Sequence, residues 1–166
     1  MNDPFVVRPA RPEDAPAFIA LVRALAEFEK LPGPTDEAVQ RLIEHAFCER
    51  PWYQILVAEL DGRVVAYAAF FFNYSTFLAR PSLYLEDLFV HPSARGRGIA
   101  SDMMRRLAAL AVERGCGRFE WSVLDWNRGA QGFYERLGAQ HVGDWQLYRL
   151  EGDAIAALAG AQLRGC

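Results

Sequence analysis

Leu83-Tyr84-Leu85-Glu86-Asp87-Leu88-Phe89-Val90, followed closely by Arg95-Gly96-Arg97-Gly98-Ile99-Ala100, decides how this chain of 166 residues folds. The first run is apolar and strand-like. The second opens a helix-like run to about Arg114 that buries Ile99, Met103, Leu107 and Leu110. A strand that stops at a glycine turn and re-enters as a helix aims backbone N–H groups, and the positive end of the helix dipole, at one point. That point suits a pyrophosphate. A nucleotide-triphosphate loop needs Gly-Lys-Ser/Thr, but the chain's only lysine is Lys30. A dinucleotide fingerprint needs a third glycine where Ser101 stands. A turn whose glycines merely cap and pack stays open on these residues alone.

Upstream, Phe5-Val6-Val7-Arg8 reads as a first strand, and Pro9 to Asp14 as the turn into a helix. That helix carries Phe18, Ile19, Leu21, Val22, Leu25, Ala26 and Phe28 at helical spacing and is stopped by Leu31-Pro32-Gly33-Pro34. Thr35 caps a second helix that turns Val39, Leu42, Ile43 and Phe47 inward. Tyr53 to Leu60 and Val64 to Phe72 are apolar strands joined by Asp61-Gly62, a strong hairpin signal; Asn73 to Ser82 reads as a loop. Downstream lie a strand from Arg118 to Leu124, a short helix from Arg128 to Leu137 ended by Gly138, a last strand from Trp145 to Leu150, and an alanine-rich helical tail from Asp153. The order β-α-α-β-β-β-α-β-α-β predicts an α/β (α+β) domain spanning residues 1–166. Its hairpins give antiparallel pairs and each β-α-β crossover gives a parallel one.

Just over half of the residues are hydrophobic and the net charge is −3, a poor match to nucleic acid and an easier one to small cations. Cys48, Cys116 and Cys166 are odd in number and widely spaced, which argues for reduced thiols rather than disulfides or a zinc cluster. The three histidines, His45, His91 and His141, make no metal-ligand pair. No leader-like start and no membrane-length apolar run is present, so a cytoplasmic protein is expected, with no metal.

The Arg/Gln-x-x-Gly-x-Gly/Ala turn, with this order of elements, resembles the coenzyme A loop of the GNAT N-acetyltransferases. Leu83 to Val90, Asp125-Trp126-Asn127 and Gly132-Phe133-Tyr134-Glu135-Arg136-Leu137-Gly138-Ala139 narrow the likeness to the diamine (spermidine/spermine) N-acetyltransferases and their thialysine-acetylating relatives. Phe5 to Ala10, Leu25 to Glu29, Pro51-Trp52-Tyr53 and Leu56 to Glu59 support it. The resemblance implies a GNAT fold, a mixed and mostly antiparallel twisted sheet flanked by helices and splayed at the acetyl-CoA site. It implies that the backbone of Leu88, Phe89 and Val90 pairs with the pantetheine arm of acetyl-CoA. Arg95, Gly96, Arg97, Gly98, Ile99, Ala100 and Ser101 would hold the pyrophosphate. Asn127, Arg128, Gly129 and Ala130 would line the far side of the thioester, with Tyr134 beside the sulfur. Glu27, Phe28, Glu29, Glu86, Asp87, Glu120, Trp121 and Ser122 would approach a small amine. Related enzymes also lead one to expect a homodimer. The segment Gln140 to Trp145 is shorter than in the diamine enzymes and keeps Asp144 as its one acid, with Trp145 as a cation–π face; this leaves polyamine specificity open.

Acetyl transfer to an amine needs a neutral nitrogen and a stabilised leaving thiolate. A lysine-like ammonium, pKa about 10.4, is neutral in only about 4 of 10,000 molecules at pH 7, a handicap of roughly 4.6 kcal/mol. Glu86, expected to be buried beside Asp87, is the candidate base, and Tyr134 the candidate acid for the thiolate, in direct attack through a ternary complex. An edge-of-sheet charge cluster and a core aromatic are the plain alternatives. Cys116 lies between two glycines with no histidine near it in sequence, so a covalent acetyl-cysteine is disfavoured. A protein-directed acetyltransferase or a non-catalytic acetyl-CoA-binding module is the competing reading.

Overall fold

Apolar alternation carries the chain into a five-stranded sheet of sequential order, built from β1 (Phe5–Pro9), β2 (Gln54–Leu60), β3 (Arg63–Ser75), β4 (Arg80–Val90) and β5 (Arg118–Trp121). The computed structural model describes residues 5–160, in two units divided between Ser122 and Val123. Cys166 lies outside the described residues. Cys48 and Cys116 are free thiols.

In the first unit, β1 to β4 pair antiparallel, and β4 and β5 pair parallel. The parallel pair follows from the crossover through α3 (Ile99–Glu113). The β2–β3 turn is the expected one: Asp61 and Gly62 have φ of 50° and 73°, the left-handed pair that a tight hairpin requires. The reading of Asn73 to Ser82 as a loop is corrected. The ladder extends to Ser75 opposite Arg80, because Phe72, Asn73 and Tyr74 find partners in Leu83, Ser82 and Pro81.

α1 (Ala15–Glu29) and α2 (Asp36–Phe47) bury one face of the sheet. Phe18, Ile19 and Leu21 pack on Ile55, Val57, Tyr67, Ala69 and Phe89, with Val39, Leu42, Ile43 and Phe47 against them. Phe18 meets Tyr67 edge to face at 5.1 Å. The Thr35 hydroxyl accepts the Ala38 N–H at 3.3 Å, as expected of a cap. α1 ends at Lys30, which takes the left-handed conformation (φ 57°), while the Leu31 N–H returns to the Ala26 carbonyl. α3 covers the other face, where the Arg114 guanidinium lies over Phe72 and Met103 and Leu107 are wholly buried.

A partly buried ion cluster ties β1 to the rest. Arg8 donates to both oxygens of Asp14, at 2.7 and 2.9 Å, and to Glu59 at 2.9 Å. The Arg8 hydrogen bonds hold the Asp14 carboxyl below its ordinary range.

The second unit contains α4 (Arg128–Arg136) and α5 (Asp153–Gly160). Asn127 Oδ1 accepts the Ala130 N–H at 3.1 Å, and Gly138 (φ 90°) follows the helix end. The expected strand Trp145 to Leu150 is corrected: this stretch is irregular and exposed, with Trp145, Leu147 and Tyr148 all more than three-quarters accessible. An alternating pattern becomes a strand only against a neighbour, and the described part of this unit holds no other strand.

Candidate active site

β5 stops at Trp121, paired with Leu85, whereas β4 runs on with β3 to Val90 opposite Ala66. From Glu86 to Val90, β4 therefore has β3 on one side and no β5 on the other. An open strand edge of this kind accepts an extended chain as an added strand. Leu88, Phe89 and Val90 lie on it.

Beyond this edge the chain makes a 3-10 turn and reaches the glycines. Gly96 and Gly98 have φ of 77° and 83°, and Gly98 is the residue from which α3 starts. Only glycine adopts this geometry without strain. Arg95, Gly96, Arg97 and Gly98 are exposed, Ile99 is buried as the first core residue of α3, and Ala100 and Ser101 follow in its first turn. Arg95 is engaged with the end of β4. Its Nε donates to the Val90 carbonyl at 3.0 Å, and its guanidinium carbon stands 5.5 Å from the Phe28 ring centre and 5.7 Å from that of Phe89.

A β-bulge shapes the other end of the open edge. Ala69 pairs with Asp87 and Phe70 with Leu85, so Glu86 is the extra residue between them. The inserted residue puts Tyr84 and Asp87, three apart, on the same face of the sheet as Tyr67 and Phe18. The expectation that Glu86 is buried is corrected by this: it is exposed, and the more enclosed carboxyl is that of Asp87, which is half-buried. Burial pushes the Asp87 carboxyl up to about 6, with repulsion from Glu86 and Glu29 adding to it and a hydrogen bond from Tyr67 opposing it. The Tyr67 hydroxyl donates to Asp87 Oδ2 at 3.3 Å. Glu29, at the end of α1, is itself pushed up by burial; Glu27 and Phe28 are more exposed. Tyr53, whose hydroxyl donates to the Leu42 carbonyl at 2.7 Å, is pushed up to about 12 by burial and by Asp87.

Strand alternation splits the Glu120-Trp121-Ser122 segment. Glu120 lies opposite Tyr84, and the Ser122 and Tyr84 hydroxyls are 2.9 Å apart, so both belong to the Asp87 face. Trp121, opposite Leu85, packs on Phe119 on the other face. The structure thus brings Glu29 and Glu86 within electrostatic reach of Asp87, on a face that also carries Glu120 and Ser122. Asn127, Arg128, Gly129, Ala130 and Tyr134 lie on and before α4 in the second unit, where Tyr134 is half-buried with its ring centre 5.1 Å from that of Phe133. Asp144 and Trp145 are exposed in the same unit. Among the described residues no group of three or more His, Cys, Asp or Glu is placed to hold a metal ion. No helix among them is long and apolar enough to cross a membrane.

Residues 19–139 match the model of the acetyltransferase (GNAT) family. The chain belongs to this family. It is an N-acetyltransferase, and acetyl-CoA is the cosubstrate of GNAT enzymes. The thialysine N-epsilon-acetyltransferase of Mus musculus is 38% identical over 165 residues, covering 93% of this chain and 96% of the relative. An L-ornithine N5-acetyltransferase of Arabidopsis thaliana is 43% identical over 98 residues, covering 59% of this chain and 43% of the relative. Among solved structures, an integron cassette protein from the mobile metagenome of V. cholerae superimposes with a TM-score of 0.81 at 23% identity, covering 97% of this chain and 99% of that one. That likeness concerns the GNAT fold alone. Sequence reasoning missed Tyr53, Tyr67 and Tyr84 in this acetyltransferase. The available signal was a hydroxyl-bearing ring at Tyr67 within the most apolar strand of the chain.

Proposed function

We propose that the protein transfers the acetyl group of acetyl-CoA to a primary amine of a small cationic substrate, a lysine-like amino acid such as thialysine or a di- or polyamine. The observation that carries this reading is the acidic face of Asp87, Glu29 and Glu86 at the head of the open β4 edge, where the described groups that act on Asp87 are acids and a phenol. Such a face attracts an ammonium. The relatives that acetylate thialysine and ornithine support the same substrate class.

In this mechanism the pantetheine arm extends β4 along Leu88, Phe89 and Val90, and the pyrophosphate meets the N–H groups of the Gly96 to Ser101 turn. Glu27, Phe28, Glu29, Glu120 and Ser122 bind the amine, which attacks directly in a ternary complex. One of the pair Glu86 and Asp87 takes the ammonium proton. The resulting lone pair attacks the thioester carbonyl carbon, the C–S bond breaks, and the sulfur takes a proton from Tyr134, whose phenol is matched to a thiolate leaving group. Asn127 to Ala130 assist on the coenzyme side. The family match spans residues 19–139 and thus both units, which supports reading the chain as one acetyltransferase domain. A homodimer is part of the proposal, with the exposed Trp145, Leu147, Tyr148 and Leu150 as contacts. Sedimentation as a monomer at micromolar concentration would count against it. CoA release measured with thialysine, lysine, ornithine, putrescine, spermidine, spermine and an aminoglycoside tests the activity. Turnover with thialysine, lysine, ornithine, a diamine or a polyamine is expected; release with none of them refutes the substrate class.

A further inference from the structure

Tyr67 sits in the middle of β3, between the buried residues Ala66 and Ala68, and is itself fully buried. Phenylalanine would fill this place without a polar group to satisfy, so the hydroxyl calls for a reason. Its acceptor is Asp87, 20 residues further along the chain. Tyr67 lies opposite Phe89 in the ladder, which makes Asp87 its diagonal neighbour on the same face, within reach of a long side chain. The bulge at Glu86 secures that shared face. In its place Asp87 is bonded by Tyr67 from β3 and feels Glu29 from α1, Tyr53 from the residue before β2 and Glu86 from its own strand, and none of these is a cation. A structural carboxylate withdrawn this far from water is ordinarily paired with a cation. This one is held by a phenol and left facing acids.

We infer that Asp87, not Glu86, receives the proton of the substrate ammonium, and that Tyr67 is the positioning residue that orients the Asp87 carboxylate for it. The assignment rests on the proposed amine transfer. The ammonium gives one proton to an Asp87 oxygen, and the freed lone pair forms the N–C bond. As the C–S bond breaks, sulfur takes a proton from Tyr134, and the second nitrogen proton replaces that one through solvent. The proton on Asp87 passes to water, so one proton is released per turnover. An accepting carboxyl that titrates just below neutrality keeps useful basicity at pH 7 while remaining mostly ionised. Glu86, at the surface of the bulge, draws in the cationic substrate.

Tyr67→Phe keeps the ring against Phe18 and removes only the hydroxyl. That hydroxyl favours the charged form of Asp87, so its loss should move the acid limb of the kcat/KM profile up by about one pH unit. Asp87→Asn should remove that limb and lower kcat/KM at pH 7 by about 10²-fold or more, with rescue at high pH, where the amine loses its proton unaided. Glu86→Gln should leave the limb in place and raise KM for the amine. A limb that vanishes in Glu86→Gln and survives in Asp87→Asn overturns the assignment, as does an unmoved limb in Tyr67→Phe. The carboxyl carbon of Asp87, followed by NMR against pH in the unreacted wild-type and Tyr67→Phe proteins, gives a readout independent of turnover. An upward move in Tyr67→Phe is expected, and no move refutes the positioning role. If no amine in the panel is acetylated while this titration behaves as stated, the substrate reading has failed and the pair stands.

Discussion

Replacing Asp87 by Asn should make the protein more stable at neutral pH while disabling it. The carboxyl titrates at about 6 in the fold against an ordinary 3.8, chiefly because it is buried. Each pH unit of such a difference corresponds to 1.36 kcal/mol, so the ionised side chain destabilises the folded state by up to about 3 kcal/mol. The folded state binds this proton more tightly than the unfolded one. The contribution is therefore fully favourable below pH 4 and is lost as pH rises through 6. Asparagine keeps a polar group for the Tyr67 hydroxyl and cannot ionise. Urea unfolding of both proteins at intervals from pH 4 to 8 isolates the effect, because the other titrating groups are common to the two. The difference in unfolding free energy should grow in favour of Asp87→Asn between pH 4 and 7 by up to about 3 kcal/mol, or roughly 6–12 °C in Tm for a chain of this size. Parallel stability curves across that window would refute the account of Asp87 as a half-buried carboxylate held by a phenol.

The remaining expectations address the coenzyme, the acid and the frame. Gly98→Val forces a β-branched side chain into φ near 83° at the start of α3, and should weaken acetyl-CoA binding by about tenfold or more in calorimetry; unchanged affinity removes the turn from the coenzyme site. Tyr134→Phe should lower kcat by about 10²–10⁴ with acetyl-CoA affinity nearly intact, and an unimpaired variant leaves thiolate departure to water. Arg8→Met leaves Asp14 buried without its cation and should cost about 3 kcal/mol near neutral pH. Asp14 is held below its ordinary range, so that deficit belongs to higher pH and should shrink as pH falls through the acid range; a deficit that persists unchanged at pH 3 would contradict the pairing.

Local chemistry carried much of this architecture into plain view. Asp61-Gly62 announced its hairpin, Thr35 its cap, and Gly96 and Gly98 the turn between β4 and α3, because each acts on backbone atoms a few residues away. The bulge is another matter. Nothing in Leu85-Glu86-Asp87-Leu88 marks which residue will be left unpaired, since that choice is made by β3 across the ladder. The acid expected inside therefore proved to be the one outside. Tyr67 and Asp87, far apart in sequence, are joined only by the register of two strands. The length of the β3–β4 hairpin and the irregular path from Trp145 to Leu150 failed for the same reason from opposite sides: one segment found a partner beyond its propensity, and the other has the propensity without a partner in its unit.

The single lysine of the chain has a practical consequence. Lys30 terminates α1 in an exposed left-handed turn, one residue beyond Glu29, while every other fixed cation is an arginine. Apart from the α-amino group, an amine-selective dye or isotopic tag has one address on this protein, and that address adjoins the acidic face. If the acidic face receives the amine as proposed, a fluorophore placed there should change its emission when substrate is added, without any engineered cysteine, and mass spectrometry of a protein incubated with its own acetyl donor need inspect one side chain for self-modification.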